Sequence, residues 1–98
     1  MSYSDAIAAD IRLRILQQLA KAPQYTLPVA PLRTSLNEYG HDLAADRMNT
    51  ELSWLDEQGL LMLRPVGATS IVVLSMRGED VAAGRSQVPG VARPGPGG

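Results

Sequence analysis

Apolar residues recur at helical spacing through the first half of the chain and then condense into short continuous runs. Ile7, Ile11, Ile15 and Leu19, with Ala8 and Leu16 beside them, form one wide apolar face. Hydroxyl caps at Ser2 and Ser4, with Asp5 in the first turn, supply a start. The pattern predicts a helix from about Ser4 to Ala22, ended by Pro23. Leu13 falls outside its apolar face, so this helix is either central to the core or also covered by a second subunit. Gln24 to Pro28 reads as a connector. Val29, Leu32, Leu36 and Tyr39 then repeat at helical spacing, with Pro28 and Pro31 tolerable only in the first turn and Gly40 closing the segment.

The cleanest separation of apolar and polar positions lies between Leu43 and Gly59. Met48, Leu52 and Leu55 fall at i, i+4 and i+7 on one face, whereas Arg47, Asn49, Thr50 and Ser53 lie off that stripe. Gly59 supplies a left-handed stop. The start admits two readings: Asp42 as N-cap, or a start two residues later that pairs Leu43 with Met48 as a hydrophobic staple and leaves Ala44 as the cap. Leu60 to Val66 and Ser70 to Ser75 are apolar, partly β-branched runs around Gly67-Ala68-Thr69, which predicts a hairpin with Pro65 at an edge or near its tip. Ser75 caps a short helix through Met76, Val81 and Ala82 that Gly84 terminates.

The order helix, helix, helix, two-stranded wing, short helix predicts a mainly α fold with a small β-hairpin, a winged helix-turn-helix over residues 1–84. From Arg85 the chain is rich in Pro and Gly, so 85–98 is expected to be a flexible tail.

Composition narrows the function classes. The 98 residues include one Trp, three Tyr and no Phe, so one core built from aliphatic side chains is expected. Absence of Cys removes disulfides, thiolate metal sites and thiol catalysis, and a lone His makes no metal site. No Ser-His-Asp, HExxH or phosphate-cradling glycine pattern occurs, so neither an enzyme nor a cofactor is expected. No basic leader and no run of about eighteen apolar residues is present, and the expected location is the cytoplasm, without a membrane partner.

At this point the sequence carries a resemblance. Asp10 to Leu16, Tyr39-Gly40-His41, Leu52 to Leu60, Ser75-Met76-Arg77-Gly78 and Val88-Pro89-Gly90-Val91 resemble a family of small winged-helix proteins of Mu-like phages and prophages. Its members are loosely related to ArsR- or MarR-type regulators, and the likeness implies the winged-helix fold and a bacterial host cell. Cysteine-based metal sensing does not carry over.

The residues themselves point to duplex DNA. Arg47, Asn49, Thr50 and Ser53 can donate to phosphates, and Arg and Asn can pair bidentately with guanine or adenine edges. Arg64 and Thr69, near the wing tip, are candidates for the backbone or minor groove. Charge distribution pulls the other way: residues 41–59 hold one basic and five acidic groups in a chain of net charge -1. Two classes therefore stand: a transcriptional regulator binding DNA as a homodimer, or an interaction module offering Asp46, Glu51 and Glu57 to a basic phage or host protein. The expected dimer interface is Tyr3, Ile7, Leu13 and Val81. The competing cover for that surface is the tail, with Val88 and Val91 as plugs.

Overall fold

The computed structural model describes residues 2–95. The first helix, α1, spans Tyr3–Lys21 and opens with a capping box. Ser2 Oγ accepts from the Asp5 N–H at 3.1 Å, and the Ser2 N–H donates to Asp5 Oδ2 at 3.3 Å. Pro23 begins a 3₁₀ turn, Pro23–Tyr25, in which Gln24 and Tyr25 both take positive φ. The expected connector then becomes a short strand, β1, Thr26–Pro28. Helix α2 covers Val29–Ser35, shorter than the spacing predicts, because the chain tightens into a 3₁₀ turn at Leu36–Tyr39 before Gly40.

Helix α3 runs Ala45–Glu57 with Ala44 as N-cap and no side-chain cap, which settles the later of the two starts. Its end is a Schellman motif: the Leu60 N–H donates to Leu55 O, the Gly59 N–H donates to Asp56 O, and Gly59 has φ 76°. Strands β2, Leu61–Val66, and β3, Thr69–Leu74, form the hairpin. With β1 they make a three-stranded antiparallel sheet in the order β1-β3-β2, so the hairpin gains a strand that periodicity alone did not reveal. Leu27 pairs with Val72 and Leu63 with Val72 from the other side, and Pro65 sits on the edge strand. Helix α4, Met76–Ala82, is capped by Ser75 Oγ accepting from the Gly78 N–H.

Among the described residues the fold is thus mixed α/β, four helices on a three-stranded sheet, an arrangement compatible with a winged-helix-like fold. Ile11, Ile15, Leu16, Leu19, Leu32, Leu36, Met48, Leu52, Leu55, Leu60, Leu61 and Val72 form the fully buried centre. No helix among them is long and apolar enough to cross a membrane.

Two expectations are corrected by this packing. Leu13 and Val81, expected to be free for a second subunit, are each 2% exposed and belong to the protomer's own core. The cause is that α4 packs along α1, which one-helix periodicity cannot anticipate. Of the other two dimer candidates, Ile7 is half-buried and Tyr3 is exposed.

The tail is the second correction. Within 85–95, Val88 and Val91 are buried in the same core, and the Ala92 N–H donates to Ala9 O at 3.1 Å. Two valine side chains and the backbone bond tie down a segment expected to be mobile. Pro96, Gly97 and Gly98, the end of that predicted tail, lie outside the described residues.

Candidate nucleic-acid interface

Helix α3 buries Met48, Leu52 and Leu55, and this fixes the outward direction of the polar residues between them. Asn49, Thr50 and Ser53 are exposed. An open groove of about 550 Å³ separates α3 from α2 and the hairpin tip. Asn49 and Ser53 line it from α3, Thr69 and Ser70 from the hairpin, and Arg33 from α2, over the apolar floor of Leu52 and Leu63. Three of the sequence-selected residues, Asn49, Ser53 and Thr69, therefore meet at one site. Thr50 stands beside it, with its hydroxyl donating to Asp46 O at 3.0 Å and its side chain bordering a shallow depression shared with Asn49, Ser53 and Trp54.

Arg64 is not brought to the groove. Strand alternation sends Leu63 toward α3, and Arg64 emerges with Met62 on the outer face of the sheet. Arg47 is exposed, but its Nε donates to Glu51 Oε2 at 2.7 Å, one helical turn along α3. Glu51, which the interaction-module reading offers to a partner, is only 3% exposed and is the one buried charged residue among those described. Its other oxygen accepts from Arg12 Nε, also at 2.7 Å. That reading therefore loses Glu51 from its display face and keeps Asp46 and Glu57, both exposed.

Arg33 escaped notice in the sequence because it lies on a short, proline-flanked helix with no display pattern of its own. Among the described residues no hydrogen bond or salt bridge holds its side chain. The buried Arg12–Glu51 pair is 39 residues apart and leaves no local signal. His41 ties the turn before α3 to α1, with Nε2 2.7 Å from Asp10 Oδ2. Trp54, half-buried, packs as a boundary side chain, with the Arg12 guanidinium 3.9 Å from its ring centroid.

The class defined so far is a small mixed α/β domain with a polar groove between a helix and a hairpin. The chain belongs to the family of the uncharacterized protein gp26 of Escherichia phage Mu, to which it is 36% identical over 93 residues, 95% of this chain and 96% of that protein. It is also 41% identical, over 63 residues, to an uncharacterized protein of Haemophilus influenzae, a match covering 64% of this chain and 61% of that protein. No family model and no solved structure matches the chain.

Proposed function

We propose that this phage-type protein is a winged-helix transcriptional regulator that binds duplex DNA, with α3 in the major groove and the β2–β3 hairpin alongside. The observation that carries this reading is the convergence of Asn49, Ser53, Thr69 and Arg33 on one groove between a helix and a hairpin tip. The element order α1-β1-α2-α3-β2-β3 supports it as an analogy of fold. Asn49 offers an amide suited to an adenine edge, Ser53 and Thr69 offer hydroxyls, and Arg33 offers a cation for a phosphate. Pairing of Glu51 inside the protein also removes one negative charge from the face a duplex would meet.

The experiment is fluorescence anisotropy of the full chain with a random duplex at two salt concentrations. Two phosphate contacts, from Arg33 and Arg47, predict that affinity falls about 12-fold between about 50 and about 200 mM salt. No binding at the lower salt would end the DNA reading. It would favour the interaction module, whose remaining exposed residues are Asp46 and Glu57.

A further inference from the structure

A buried carboxylate held by two arginines that are anchored very differently is the most informative cluster in the molecule. Glu51 is 3% exposed, and such a charge is tolerated only while it is paired. Each of its oxygens has its own partner: Arg12 Nε on Oε1 and Arg47 Nε on Oε2, both at 2.7 Å. Arg12 is 18% exposed and has two further anchors, an Nη1 bond to Gly90 O at 3.0 Å and the face of the Trp54 ring at 3.9 Å. Arg47 is 43% exposed, and Glu51 is its sole polar partner among the described residues.

We propose that Arg12 is the resident counter-ion of Glu51 and Arg47 the releasable one, so that Arg12 is a positioning residue that sets Arg47 free to meet a phosphate. The proposal rests on the DNA reading for its partner. With Arg12 in place, Arg47 swings to an incoming phosphate and Glu51 remains neutralised. Without Arg12, Arg47 is the last cation on a buried carboxylate, and leaving it would bare that charge. The tail takes part, because Gly90 O is one of the groups that keeps Arg12 from following Arg47 outward.

The test is a set of full-length variants measured against one duplex at low salt, with folding checked by circular dichroism. Arg47→Ala is expected to lower affinity about 5- to 10-fold, as loss of one phosphate contact does. Arg12→Ala is expected to match that loss although Arg12 does not reach the duplex, and the double variant to lose no more than either single one. Glu51→Gln is expected to restore Arg12→Ala to within about twofold, since a neutral side chain no longer holds Arg47, and to leave Arg47→Ala unrescued. Undiminished affinity in Arg12→Ala, additive losses, or a folded but unrescued Arg12→Ala/Glu51→Gln variant would each overturn the proposal.

A second measurement needs neither DNA nor a variant. The arginine side-chain Nε–Hε resonances of the free protein are followed while inorganic phosphate is added. Movement of Arg47 with Arg12 unmoved supports the releasable role, whatever Arg33 does; a silent Arg47, or equal movement of Arg12, overturns it. Movement of Arg47 with Arg12 unmoved, in a protein that binds no duplex, would remove the DNA reading and leave the shared carboxylate standing.

Discussion

Gly90 lies against the indole of Trp54 so closely that a Cβ built on it would stand 2.8 Å from Cζ2, and 3.1 Å from Arg12 Nη1. The contact joins the C-terminal segment to α3 and to the arginine that neutralises Glu51. Its backbone φ of 98° is also one that side-chain-bearing residues avoid. Gly90→Ala is therefore expected to cost about 2–3 kcal/mol, from overpacking together with backbone strain. Urea denaturation of the two chains checks this, and an unchanged midpoint would mean that the segment does not hold this position in solution.

Gly78 is a second close approach, between the middle of α4 and the start of β2. A Cβ there would lie 1.9 Å from Leu60 O, which no side-chain adjustment can relieve. Helix propensity alone favours Ala over Gly by about 1 kcal/mol at such a position. The expected outcome has the opposite sign: Gly78→Ala destabilises by about 1–3 kcal/mol because α4 must move off the sheet. A stabilised variant in thermal or urea unfolding would contradict this packing.

Arg33 and Arg64 are expected to separate in a binding assay. Arg33 lines the groove with Asn49 and Ser53, whereas Arg64 stands on the outer face of the sheet. Arg33→Ala should weaken duplex binding about 5- to 10-fold and lower the salt slope by about one, and Arg64→Ala should leave both near the wild-type values. Both positions lie off the core, so the unfolding midpoints should hardly change. The reverse ranking would place the duplex against the sheet rather than in the groove.

Much of the fold was legible because its signals are local. Met48, Leu52 and Leu55 mark the buried face of α3, Gly59 its Schellman end, and Ser75 the cap of α4, each within one helical turn. What escaped depends on partners far along the chain. β1 is three residues ending in a proline, and it exists because Leu27 meets Val72 across the sheet. Leu13 is off the main apolar stripe and is buried because α4 and the tail close over α1. At the site, Asn49, Ser53 and Thr69 were readable from their place on a helix face and at a hairpin tip. Arg33 and the Arg12–Glu51 pair were not, since a groove and a buried carboxylate are created only when α1, α2 and α3 come together.

The tail is expected to govern assembly. A dimer through α1 and α4 was expected because α1 carries more apolar surface than three helices can cover, but Leu13 and Val81 are spent in the protomer. Of the large apolar side chains on α1 and α4, Tyr3 and Met76 alone stay fully outside, too little for a stable interface of about 800 Å² per partner. The full chain is therefore expected to sediment as a monomer at micromolar concentration. Truncation after Gly84 removes Val88 and Val91, whose burial contributes about 1.5–3 kcal/mol each, and uncovers the surface beneath them. The truncated chain should be less stable by about 3–6 kcal/mol and should self-associate through the exposed surface of α1. A dimer of the full chain would contradict this expectation, and it would have to form through surface other than Leu13 and Val81. A monomeric truncation of unchanged stability would show that Val88 and Val91 do not hold their sites in solution.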